Sequence, residues 1–96
     1  MSFTVVYHEA VVKSDIPKLS SEWRKTIKLA IEEKLTIQPE VFGKPLRRSL
    51  KGYRKLRVGD YRVIFRIKGN TIVILLIAHR SLVYRKPHQR RISNAI

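Results

Sequence analysis

The stretch Tyr53-Arg54-Lys55-Leu56-Arg57-Val58-Gly59-Asp60-Tyr61-Arg62-Val63-Ile64-Phe65-Arg66-Ile67-Lys68-Gly69-Asn70-Thr71-Ile72-Val73-Ile74-Leu75-Leu76-Ile77-Ala78 decides the fold. It holds three runs rich in β-branched and aromatic residues, over 53–58, 61–68 and 71–78. The separators, Gly59-Asp60 and Gly69-Asn70, are two-residue connections of the kind that closes tight hairpins. The reading is a three-stranded antiparallel meander.

Two-residue turns also set the register. With Gly59-Asp60 as the first turn, Val58 faces Tyr61, Arg57 faces Arg62, Leu56 faces Val63 and Lys55 faces Ile64. Because side chains alternate, Lys55, Arg57, Arg62, Ile64 and Arg66 share one face, and Leu56, Val58, Val63, Phe65 and Ile67 the other. Continued through Gly69-Asn70, the register puts Arg62 opposite Ile77. It adds Val73, Leu75, Ile77 and His79 to the basic face, and Ile72, Ile74 and Leu76 to the apolar one. Arg57 opposite Arg62 is a like-charge pair that stability would not select. Such a local conflict marks a candidate site, here one suited to phosphate. A purely electrostatic nucleic-acid platform fits the same pattern. The last strand is apolar on both sides, so its second face needs cover from the C-terminal tail or a partner.

Before the meander, Phe3-Thr4-Val5-Val6-Tyr7 reads as a strand. A short helix follows over 9–14, with Pro17 where its continuation would break. Ser20 or Ser21 can cap the next helix, with Glu22 in its first turn. Trp23, Ile27, Ala30, Ile31 and Leu35 recur at helical spacing, and Trp23, Ile27 and Ile31 are predicted to pack on the apolar sheet face. The helix stops before Pro39, and residues 38–49 read as a loop. The expected architecture is α+β, with two N-terminal helices on one face of a twisted, mainly antiparallel four-stranded sheet. Residues 1–96 form one domain, with 85–96 as a basic tail that can be a short helix, an arm or disordered.

Charge narrows the function. The 96-residue chain carries 21 Lys and Arg against 7 Asp and Glu, a net charge of +14, and no Cys. Without Cys there is no thiolate nucleophile, disulfide framework or thiolate metal site. Residues 1–43 balance six basic residues with six acidic ones, whereas residues 44–96 hold fifteen basic residues and one acid, Asp60. The whole excess lies in the second half, pointing to a polyanionic partner: nucleic acid, an anionic membrane surface or an acidic protein. Neither a secretory signal at Met1-Ser2-Phe3-Thr4 nor a membrane-spanning run is evident, so the expected location is cytoplasmic. His8, His79 and His88 have no ligand spacing, and no metal or cofactor is expected.

Past the last strand, His79-Arg80-Ser81-Leu82-Val83-Tyr84 brings an imidazole, a guanidinium and a phenol together. RNA cleavage without a metal needs a base for the 2′-OH, cations for the developing charge and an acid for the leaving 5′-oxygen. Lys or His can be the base, Arg can stabilise charge, and Tyr can stack on a nucleotide.

Lys44-Pro45-Leu46 with the block from Leu50 to Phe65, followed by His79-Arg80-Ser81-Leu82-Val83-Tyr84, resembles the RelE/ParE superfamily of toxins from toxin–antitoxin pairs. The likeness covers about residues 3–84. It implies a RelE-like toxin: a ribosome-dependent endoribonuclease cutting mRNA in the ribosomal A site, held silent by a cognate acidic antitoxin in a hetero-oligomer. By position, Lys55 is then the general base or a phosphate-binding cation, and Arg62 the main stabiliser of transition-state charge. Arg80 acts near the leaving group and Tyr84 orients the base, with His79 a further acid or base candidate. Arg47, Arg48, Lys51, Arg54, Arg57 and Arg66 are expected to grip RNA. The alternative is a ParE-like inhibitor of DNA gyrase without nuclease activity. Two departures from the family pattern are Ala78, where Gly is often seen, and the extension over 85–96.

Overall fold

The structure is a computed structural model that describes residues 2–47 and 51–83. The expectations for Arg48, Tyr84 and the tail 85–96 fall outside the described residues.

Strand β1 (Thr4–Tyr7) leads into a π-helical turn (Val11–Asp15) and a 3-10 turn (Ile16–Lys18). Helix α1 (Ser21–Ala30) follows, capped by Ser20, whose hydroxyl accepts from the Trp23 amide at 3.2 Å. It runs on as a second π-helical turn over Ile31–Leu35. Ile27, Ile31 and Leu35 are all buried, although residues four apart drift by about 40° per step on an ordinary α-helix. The wider π turn absorbs that drift and keeps Leu35 on the sheet. Next come α2 (Pro39–Phe42), β2 (Lys44–Pro45), β3 (Arg54–Val58), β4 (Tyr61–Lys68) and β5 (Thr71–His79).

The strands form one sheet in the order β1-β5-β4-β3-β2, with β1 parallel to β5 and the other pairs antiparallel. The sheet therefore has five strands rather than four, because part of the segment read as a loop over 38–49 contains a helical turn and the short edge strand β2. Helices cover one face. Ile27, Ile31 and Leu35 pack there with Leu56, Val58, Val63, Phe65, Ile72, Ile74 and Ile77, and Trp23 lies against the same core. Full burial of one such side chain is worth about 1.5–3 kcal/mol.

The first hairpin pairs as predicted, Arg57 with Arg62 and Lys55 with Ile64. In the second, a β-bulge changes the outcome. Phe65 pairs with Ile74 but Ile64 pairs with Leu76, which leaves Leu75 as the extra residue. Beyond it every β5 side chain changes face. Leu76, expected toward the helices, turns outward with Ala78, while Ile77 joins the helix-side core. His79 pairs with Tyr61 on the helix side, so it does not share the basic face.

The outer face of β5 is covered from within the chain. Tyr53, Ile64, Leu75, Leu76, Ala78 and Val83 form a second small core, with Leu46 against it. β1 stops pairing at Ile74, and at Ile77 a side chain takes over the strand's role. Asp15, 2% exposed, accepts the Ile77 amide at 2.9 Å through Oδ2. A buried N–H left unpaired at that edge would be costly, which accounts for a buried carboxylate there.

Candidate active site

Lys55 and Arg57 on β3, and Arg62 and Arg66 on β4, lie on the sheet face opposite the helices, in register positions that share one side. The structure adds Lys44, which pairs with Lys55 across β2 and β3. Sequence reasoning missed it because a two-residue edge strand has no periodicity to read, and Pro45 argues against a strand. Two like-charge pairs, Lys44 with Lys55 and Arg57 with Arg62, thus stand side by side on one face. Like charges placed directly opposite each other across strands repel, at a cost of order 0.2–1 kcal/mol. The small apolar core of Tyr53, Ile64, Leu75, Leu76, Ala78 and Val83 lies on the same side of the sheet. Arg66 lies over the Tyr53 ring at 5.8 Å, a cation–π contact that fixes the side chain at the margin of that core.

Arg62 is held by the first hairpin turn. Its Nη1 donates to the carbonyls of Gly59 at 2.8 Å and Tyr61 at 2.9 Å. The small Ala78 pairs with it across β5. The same turn anchors the next cation, since the Arg80 amide donates to the Asp60 carbonyl at 2.8 Å. The Gly59-Asp60 turn therefore ties Arg62 and the exposed Arg80 to one end of the sheet.

Other expected residues sort differently. Arg54 turns to the helix side, where its Nη1 donates to the Gly43 carbonyl at 2.8 Å and contacts that of Glu40 at 3.5 Å. It holds the loop before β2 and is not aligned with the basic face. His79 stands edge-on to Tyr61 at 5.7 Å, and Tyr61 contacts Trp23 at 4.8 Å. The His79 Nδ1 lies 2.9 Å from the Ser81 hydroxyl and accepts the Ser81 amide at 3.2 Å. An accepting Nδ1 leaves the proton of the neutral ring on Nε2. Arg47 and Lys51 are exposed on the segment that flanks β3. Among the described residues no group of His, Asp and Glu could hold a metal ion.

The sequence profile of the ParE toxin of type II toxin–antitoxin systems, parDE, matches residues 6–84. The chain belongs to the RelE/ParE superfamily of toxins. Toxin RelE of Mycobacterium tuberculosis is 33% identical over 84 residues, 82% of this chain and 87% of that protein. Toxin RelG of the same organism is 44% identical over 54 residues, 54% of this chain and 62% of RelG, so that match spans less than two thirds of the relative. The crystal structure of the RelBE2 toxin–antitoxin complex from M. tuberculosis superimposes with a TM-score of 0.75 at 32% identity, covering 83% of this chain and all of that one. The fold is RelE-like, and this superfamily member is a RelE-like toxin of the type II class.

Proposed function

We propose that the chain acts as a single domain that cleaves mRNA on the ribosome, without a metal, by attack of a 2′-OH on the adjacent phosphate. The observation that carries this reading is the outer sheet face: paired cations at Lys44/Lys55 and Arg57/Arg62, with Arg62 held by two carbonyls at the hairpin turn. Charge develops on the nonbridging phosphate oxygens as the phosphorane forms, and a preorganised guanidinium stabilises it without having to reorganise at that moment. In this reading Arg62 carries that role. Lys55 serves the 2′-OH as base or the phosphate as cation, Arg80 lies by the leaving 5′-oxygen, and Tyr84 orients the base. Arg57, Arg66, Lys51, Arg47 and Arg48 hold the backbone. His79, on the helix side of the sheet, lies further from this chemistry than its place in the sequence suggests.

An acidic antitoxin fits the same face, and the RelBE2 structure is itself a toxin–antitoxin complex. A cytoplasmic setting follows from a ribosomal target, and among the described residues no helix is long and apolar enough to cross a membrane.

The test is a purified translation reaction with mRNA ends mapped. Wild-type protein is expected to cut translated message, and Arg62→Ala to slow cutting by about 10²–10³ with its melting temperature kept. Intact mRNA together with stalled DNA gyrase would overturn this reading in favour of a ParE-like activity.

A further inference from the structure

We propose that Trp23 is a positioning residue for Arg62, acting through the Gly59 carbonyl; the inference rests on the nuclease reading above. Trp23 lies in the first turn of α1, on the opposite side of the sheet from the basic face. Its ring does more than fill the core. A Cβ placed on Gly59 would stand 2.6 Å from Trp23 Cη2 and 3.1 Å from Cζ3, so the outer ring of the indole lies directly on the turn backbone. Tyr61, next to the turn, meets the same indole at 4.8 Å.

Gly69 offers the comparison within the chain. It occupies the equivalent place in the second hairpin with nearly the same φ, +61° against +58°, yet nothing lies within 4 Å of its Cβ position. The Gly69-Asn70 turn has no such contact from the helix layer. The Gly59-Asp60 turn has one, and it is this turn whose carbonyls hold the guanidinium of Arg62 and the amide of Arg80.

The chain of contact is short. The indole restrains Gly59, and the Gly59 carbonyl accepts from Arg62 Nη1 at 2.8 Å. Arg62 is a long side chain with several rotors, so its aim depends on where these acceptors stand. A displacement of about 1 Å in a group that must meet a developing charge can cost ~10²-fold in rate. Trp23 packs on the helix-side core, across the sheet from the basic face, so its influence on a reaction there passes through the turn.

The experiment is a double-mutant cycle on single-turnover cleavage in translating ribosomes, with Trp23→Leu and Arg62→Ala. Trp23→Leu is expected to lower the cleavage rate by about 10- to 10²-fold at unchanged ribosome affinity. In the Arg62→Ala background, where nothing is left to position, the same substitution should change the residual rate less than 2-fold, about the usual error of additivity. A Trp23 effect of equal size in both backgrounds would assign it a general structural role and overturn the proposal. NMR of the arginine side chains supplies a readout that needs no activity. The Arg62 guanidinium should show slowed rotation in the wild type and averaging in Trp23→Leu, and unchanged signals would refute the link. Should Trp23→Leu fail to fold, Trp23→Phe keeps a ring on Tyr61 and withdraws the outer ring from Gly59. If Arg62→Ala cuts as well as wild type, the nuclease assignment of Arg62 falls, while the NMR comparison still decides the positioning.

Discussion

Gly59→Ala and Gly69→Ala make a matched pair whose difference measures the contact between α1 and the first turn. Both residues have left-handed φ, which costs an L-residue about 1–2 kcal/mol. For Gly69→Ala that is the whole effect, because its Cβ points into open space. For Gly59→Ala the new methyl also lands 2.6 Å from Trp23, and overpacking of this kind adds about 1–3 kcal/mol, for a total near 2–5. Urea denaturation of the three proteins, followed by far-ultraviolet circular dichroism so that the same probe serves in a Trp23→Leu background, gives both numbers. The excess for Gly59→Ala is expected to shrink when Trp23 is replaced by Leu. Equal costs for the two substitutions, within about 0.5 kcal/mol, would show that the indole does not press on the turn.

Further outcomes follow from other sites. Asp15→Leu removes the acceptor of the Ile77 amide and is expected to cost about 1–3 kcal/mol, whereas Asp15→Asn keeps an acceptor oxygen and should cost less; equal losses in denaturation curves would contradict the bond. Burial, and secondarily the nearby Glu32, push the Tyr7 phenol above its ordinary range. The folded form thus holds the Tyr7 proton more tightly than the unfolded one, so the stability Tyr7 contributes is fully present below about pH 10 and is lost as pH rises through the folded value. Tyr7→Phe should flatten that alkaline decline, and an unchanged slope in pH-dependent melting would refute it. Lys44→Gln is expected to lower the salt dependence of single-stranded RNA binding by about 0.7 in log–log slope, the share of one phosphate contact, as read by titration at several ionic strengths.

The first hairpin was legible because a two-residue turn leaves its register no freedom. The pairing of Arg57 with Arg62 follows from Gly59-Asp60 alone. The second hairpin has an equally clear turn, but its register slips in mid-strand at Leu75. In the run Ile74-Leu75-Leu76-Ile77 both faces want apolar residues, so no alternation records where the extra residue falls. That is why strict alternation puts His79 on the basic face and Leu76 toward the helices, the reverse of what the bulge produces. Arg54 falls, by the same alternation, on the side of Leu56 and Val58. Its side chain emerges among core positions and reaches the carbonyls of a loop whose path only the folded chain shows. The charge asymmetry pointed correctly to the half that builds the basic face, though not to Lys44 as its edge member.

The parallel ladder between β1 and β5 joins Thr4 to Thr71 and Tyr7 to Ile74, partners separated by most of the chain. The meander over 54–79, in contrast, closes through two tight turns, so its loops cost little entropy to form. On a growing polypeptide the first strand made is therefore the last to find its place, waiting unpaired until the last strand of the meander emerges. Substitutions in β1 should accelerate unfolding more than they slow folding, and the basic face can assemble on the meander before the amino-terminal strand has docked.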